Sequence, residues 1–196
     1  MVFTYSGHGT WVPDQEELEE ADNRDEALAV YDGIIIDDEL RTILSQLDPE
    51  VSKAIISDSC HSGSVTRAYL KETATRARTE ETPNPPVPRF LPPENDAEAL
   101  LALLLPVHKR AFYPESSMNH VLLTGCNAME YSYDATFGGR SNGAMSYFVM
   151  QLIRSKPDRT WKELHKALRT LLPSTQYPQS PQLEGSDAKK DKPVFT

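Results

Sequence analysis

Two short runs hold the side chains best suited to chemistry: Ser6-Gly7-His8-Gly9, and Asp58-Ser59-Cys60-His61-Ser62-Gly63. A thiol becomes a useful nucleophile near neutral pH only when a neighbour accepts its proton, so Cys60 needs an imidazole brought close by the fold. His61 is adjacent in sequence, but on an extended chain it points to the opposite face. His8 is the better candidate. It follows Val2 to Ser6, a β-branched and aromatic run closed by Gly7 and Gly9, which reads as a strand ending in a tight turn. Lys53 to Ser59 reads as a second, buried strand that delivers Cys60. Two such strands lying parallel open their carboxyl ends on one crevice, where His8 as general base can meet Cys60 as nucleophile.

The same alternation pairs Ser6 with the side of His8, and Asp58 with that of Cys60. A buried carboxylate at Asp58 favours a cationic substrate side chain, Arg above all, because guanidinium binds carboxylate bidentately. Cleavage after Arg or Lys is the expectation. Gly9 and Gly63 strip side chains from the surroundings of the thiol, so the N–H groups of Gly9 and Cys60 are the expected oxyanion hole. His120 and His165 fall in apolar-patterned elements and His108 beside Lys109 and Arg110, which suits structural or surface roles. Cys126 reads as a small buried hydrophobe.

The elements that position these residues alternate between strand and helix. Leu40, Ile43, Leu44 and Leu47 recur at helical spacing after Asp37 or Asp38 as N-cap, with Pro49 beyond the end. Strand, helix, strand is the order of a parallel βαβ crossover. His120 to Gly125 is a third strand. Asn95 with Glu98 caps a short helix over Leu100 to Leu105. One amphipathic helix carries Met145, Phe148, Val149, Leu152 and Ile153. Another opens on Thr160 and Glu163 as a capping box and carries Trp161, Leu164, Leu168 and Leu171. The piece PQLEG near the end can pair as an edge strand. Between Asp14 and Glu26 crowded carboxylates read as a solvated loop, and residues 64 to about 94, rich in Thr, Arg, Glu and Pro, as a long mobile excursion.

The chain has 196 residues, a length suited to one domain with a real core. Its formal charge of −9 disfavours nucleic acid, which needs a basic face, and suits a basic substrate. Two cysteines make neither a disulfide scaffold nor a zinc array. With no leader pattern and no apolar run long enough to span a bilayer, the expectation is a cytoplasmic protein that meets no membrane.

YSGHG at 5–9 and DSCHSG at 58–63, in that order and each ending a strand, resemble the caspase-like peptidases, metacaspases and their prokaryotic relatives in particular. DEALAVYDG, DDEL, LTGCNAMEYSYDA and YPQSPQLEG extend the resemblance over nearly the whole chain. It implies an α/β fold, the caspase-type three-layer sandwich with a mostly parallel central sheet flanked by helices, the family's N-terminal strands being missing. It also implies one catalytic domain over 1–196, with a large-subunit-like part (1–66), a flexible Arg/Pro-rich loop (67–94) and a small-subunit-like part (95–196).

By the resemblance His8 and Cys60 match the family's dyad, and Ser6 and Asp58 match positions lining a pocket for a basic residue. Ser132 and Asp134 match a Ser-x-Asp pattern that helps shape the substrate cleft. Asp25, Asp37 and Asp38 match calcium ligands, a hard oxygen set of the kind calcium takes, although Arg67 stands where a further acid is expected. An Arg/Lys-specific peptidase could cut its own accessible loop at Arg67, Lys71, Arg76 or Arg78, which serve equally as solubilising charge. The expected partners are protein or peptide substrates with a basic residue before the scissile bond, together with a missing N-terminal segment. The alternative is a catalytically inactive caspase-like interaction module or an incomplete fragment.

Overall fold

The computed structural model describes residues 1–13, 24–60, 86–91, 118–127 and 130–196. In chain order the elements are β1 (Val2–Ser6), β2 (Gly9–Pro13), β3 (Arg24–Val30), β4 (Gly33–Ile36), α1 (Asp37–Gln46), β5 (Ala54–Asp58), β6 (Val87–Pro88), β7 (Val121–Thr124), β8 (Tyr133–Phe137), β9 (Arg140–Gly143), α2 (Ala144–Ser155), α3 (Trp161–Leu168), β10 (Gln182–Glu184) and α4 (Asp187–Lys190).

The central sheet has the order β1-β5-β7-β10. β1, β5 and β7 run parallel, and β10, from the PQLEG piece, closes the edge antiparallel to β7. β5 (AIISD) is buried along its whole length, as a parallel strand covered on both faces should be. Ala54, Ile56, Val121 and Leu123 pack with Met145 and Val149 of α2 and with Trp161, Leu164 and Leu168 of α3. On the opposite face Phe3, Ile55 and Leu122 share a cavity wall with Leu40 of α1. Helix, sheet and helix therefore make three layers, an α/β sandwich. No helix among the described residues is long and apolar enough to cross a membrane.

Two antiparallel ribbons flank this frame: β2-β3-β4 and β6-β8-β9. They account for most of the differences from the sequence expectations. Arg24 to Glu26, expected in a solvated acidic loop, pair with Trp11 to Pro13 as the start of β3. Val87 and Pro88, expected within a mobile excursion, pair with Asp134 and Tyr133 of β8. The N-cap of α1 is Ile36, which offers no side-chain cap, and Asp37 is its first helical residue, paired with Arg41 at 3.0 Å.

The capping box of α3 is present in both directions. Glu163 N–H donates to Thr160 Oγ1 and Thr160 N–H to Glu163 Oε2, each at 3.2 Å. The helix ends at Leu168, so Leu172 rather than Leu171 is buried. The helix expected over Leu100 to Leu105, the turn at Gly63, and Arg67, Lys71, Arg76 and Arg78 lie outside the described residues.

Candidate active site

The register of β1 on β5 is the starting point. Ser6 lies opposite Asp58, and His8 and Cys60 each follow two residues beyond those paired strand ends. β2 then runs so close to Cys60 that a Cβ at Gly9 would overlap the Cys60 carbonyl oxygen. Only glycine fits that crossing. The His8 carbonyl is clamped from two sides, accepting from the Tyr5 hydroxyl at 2.7 Å and from Ala29 N–H of β3 at 3.0 Å. The His8 side chain itself is exposed.

Asp58 is completely buried at the end of β5, with both oxygens engaged. Oδ1 accepts from Ser132 Oγ at 2.8 Å, and Oδ2 from the Ser146 backbone N–H at 2.7 Å. Ser146 is in the first turn of α2, where N–H groups lack helical partners and the helix dipole favours a negative charge. Gly125 and Gly143 leave room for this carboxylate, since a Cβ at either position would overlap one of its oxygens.

Into this acidic cradle the chain inserts its own Arg89. The guanidinium is 5% exposed and lies 3.8 Å from Asp58 Oδ2. Its Nη1 donates to Ser6 Oγ at 2.7 Å and to the Asp58 carbonyl at 2.6 Å. Nε and Nη2 both donate to Asp134 Oδ1, at 2.9 and 2.6 Å. The backbone is held as well. Arg89 N–H donates to the Ser132 carbonyl at 2.8 Å, and the Arg89 carbonyl accepts from Gly9 N–H at 2.9 Å and Cys60 N–H at 3.3 Å. Ser6, Asp58, Ser132 and Asp134 thus converge on one arginine, while Gly9 and Cys60 converge on its carbonyl.

The nucleophile candidate has a different setting. Cys60 is 2% exposed, and its sulfur turns inward, accepting from Ser132 N–H at 3.1 Å and donating to the Ser132 carbonyl at 3.3 Å. Among the described residues no hydrogen bond joins this sulfur to the His8 ring. Burial pushes the thiol far above its usual pKa and neighbouring Cys126 adds to the rise, with backbone hydrogen bonds from Ser132 and Arg89 offsetting only part of it. In this arrangement the thiol is protonated and at rest.

The first 68 residues match the family model described as metacaspase, peptidase C14 domain. Metacaspase-1A of Aspergillus fumigatus is 30% identical over 210 residues, spanning 95% of this chain and 50% of that protein. Metacaspase-1 of Ajellomyces capsulatus is 29% identical, spanning 95% of this chain and 58% of its own length. The chain is metacaspase-like. It spans about half the length of the curated relatives it matches. Among solved structures, protein GSU0716 from Geobacter sulfurreducens superposes with a TM-score of 0.69 at 24% identity, covering 100% of this chain and 70% of that one. At that identity the likeness speaks to the fold, a caspase-type sandwich.

Three contributors to the candidate site escaped the sequence reading. Ser146 acts through its backbone and Arg89 lay in a run taken for loop. Gln179, fully buried, donates to the Gly125 carbonyl at 2.9 Å and to Ser132 Oγ at 3.3 Å and accepts from Tyr133 N–H at 3.0 Å, tying the cradle wall to the terminal strand. A glutamine between two prolines in YPQSPQ gives no periodic signal. Asp37 stands at the start of α1 against Arg41. The backbone of Asp25 lies on β3, whose pairing of Ala27 with Ile36 of β4 carries it alongside the start of α1, where Asp38 follows Asp37. The side chains of Asp25 and Asp38 are outside the described set.

Proposed function

We propose that this chain is a cysteine endopeptidase cleaving after Arg or Lys, with Cys60 as nucleophile and His8 as general base. Arg89 carries the reading. One arginine sits with its guanidinium between Asp58 and Asp134 and with its carbonyl on the N–H groups of Gly9 and Cys60, as a residue preceding a scissile bond should. In the reaction His8 takes the thiol proton, the thiolate attacks the carbonyl carbon, and His8 returns the proton to the leaving amine. Water then hydrolyses the thioester. The two backbone donors stabilise the oxyanion, a contribution of about 2.7–4 kcal/mol per donor in comparable sites. Attack requires the thiol to swing from Ser132 toward His8.

Calcium activation belongs to the same proposal. Asp25, Asp37 and Asp38 would supply the oxygens, with Asp37 exchanging the Arg41 guanidinium for the ion. The bound charge would fix the start of α1 against the β2-β3-β4 ribbon that holds the His8 carbonyl. A second reading, a non-catalytic module, draws on the inward, protonated thiol.

A fluorogenic peptide ending in Arg, assayed with calcium and with chelator, decides between the two. Hydrolysis should fall by about 10⁴-fold or more in Cys60→Ala, the scale seen when a nucleophile is removed. Equal rates in the variant and the parent would rule out this nucleophile, and full activity in chelator would end the calcium proposal.

A further inference from the structure

We infer that the amino end of the central sheet holds a binding site for one phosphoryl-sized anion, formed by Lys53, Lys189 and Lys192 around a small cavity beside Trp161. The site lies at the opposite end of β5 from Cys60 and is independent of the peptidase reading.

The cavity has a volume of about 70 Å³. A single water needs about 10–15 Å³, so the space takes a tetrahedral oxyanion. Lys53 is its buried member. It stands immediately before β5, is 3% exposed, and its ammonium donates to the Leu47 carbonyl at 2.9 Å. An ammonium has three N–H donors, and a buried charge without a counter-charge is costly. Lys189 Nζ donates to the Asn119 side-chain oxygen, a neutral partner, and Lys192 is exposed at the mouth. Among the described residues none of the three makes an ion pair. Counting Glu50 and the carboxyl group of Thr196 as the acids on its wall, the cavity still has three ammonium groups against two anions.

Composition does not produce this surplus, because the chain has 29 acidic residues against 20 Lys and Arg. The acids of the same region are engaged elsewhere. Asp187 of α4 pairs with Lys162 and with Lys190, each at 3.4 Å, and Asp191 pairs with Lys162 at 2.9 Å. α4 thus sorts its lysines, Lys190 to a carboxylate and Lys189 to the cavity. The ammonium groups also feel one another. Burial, then the charges of Lys53 and Lys192, pull Lys189 below the usual lysine pKa. His120, just before β7, is lowered to about 4 by burial, with Lys189, Arg41 and Lys53 adding to the fall. An anion relieves a field of one sign, and a phosphoryl group brings up to two negative charges and three strong acceptor oxygens. Lysine meets it as a point charge with rotatable donors, which lets Lys53 fill its spare N–H groups. The shared chemistry is the phosphoryl group, free as inorganic phosphate or carried by a small phosphomonoester whose substituent stays in solvent beside Lys192.

The test is titration calorimetry and thermal unfolding of the whole chain in calcium-free buffer, with inorganic phosphate or O-phosphoserine compared with sodium chloride at equal ionic strength. One anion should bind per chain and raise Tm saturably, since a ligand of the folded state stabilises it. The tighter of the two phosphates identifies the source. Lys189→Ala and Lys192→Ala should each weaken binding by about tenfold or more, the scale of one hydrogen bond to a charged group. Lys53→Met keeps the apolar stem without the charge and should abolish binding. Should that variant fail to fold, the other two decide. Lys156→Ala, whose ammonium pairs with Glu163 at 3.2 Å away from the cavity, should bind as the parent does. A Tm shift no larger than that of chloride, or binding unchanged in the cavity variants, overturns the inference. No readout involves peptide hydrolysis, so the outcome stands apart from that of the peptidase proposal.

Discussion

The two halves of the cleft are built to different standards. Around Asp58 every polar group is matched: both carboxylate oxygens, the guanidinium of Arg89 and the hydroxyls of Ser6 and Ser132 are all engaged. Around Cys60 the groups proposed to react are not hydrogen-bonded to each other, with the imidazole at the surface and the sulfur folded into the interior. On the proposed function, recognition is preorganised while chemistry is held back. Buried charge explains the asymmetry, because an unmatched carboxylate in the core is costly whereas a neutral thiol is at ease there.

Asp58→Asn should break this comparison hardest. Stripping one partner from a buried ion pair costs about 3–5 kcal/mol, so kcat/KM for an Arg peptide should drop by at least about 10²-fold. Asp134 is 31% exposed, and Asp134→Asn should lose about tenfold or less. Equal losses would mean that the two carboxylates share the cation evenly. Gly143→Ala comes next. Its methyl group would press on the Asp58 carboxylate and on the Arg89 guanidinium, and overpacking of about 1–3 kcal/mol predicts a rise in KM between about 5- and 150-fold.

The resting thiol gives a pH prediction. A folded pKa raised above that of a free cysteine leaves less thiolate at every pH below it, so alkylation of Cys60 by iodoacetamide should be slow throughout the range from pH 7 to 9. In Arg89→Gln it should quicken. Labelling of the intact parent at the rate of an exposed cysteine would contradict the inward position. The smallest effect expected is a control remote from both halves. Thr160→Ala removes one direction of the α3 cap and should lower stability by about 1 kcal/mol without altering peptide hydrolysis per folded molecule.

What the sequence made legible follows from locality. Alternation along Val2–Ser6 and Ala54–Asp58 is enough to assign Asp58 and Cys60 one face, and glycines flanking His8 announce a tight crossing. The box at Thr160 and Glu163 is four residues long and reads directly. Pairings between distant segments are another matter. Nothing inside Arg24–Val30 signals that Gly9–Pro13 will pair with it as a ribbon. A weak signal existed for Arg89: VPRFL is an apolar island around one cation inside a charged, proline-rich stretch. Composition averaged over 64 to 94 hid it. The β8-β9 hairpin also had its mark, Gly138-Gly139 between two polar-apolar runs, both at positive φ in the turn.

Chain order gives Arg89 one more consequence. Ser132 and Ser146, which hydrogen-bond the two oxygens of Asp58, both leave the ribosome after residue 89. A counter-ion is thus already attached to the nascent polypeptide when the lid of groups closes over the carboxylate. The newborn protein never has to bury that anion alone.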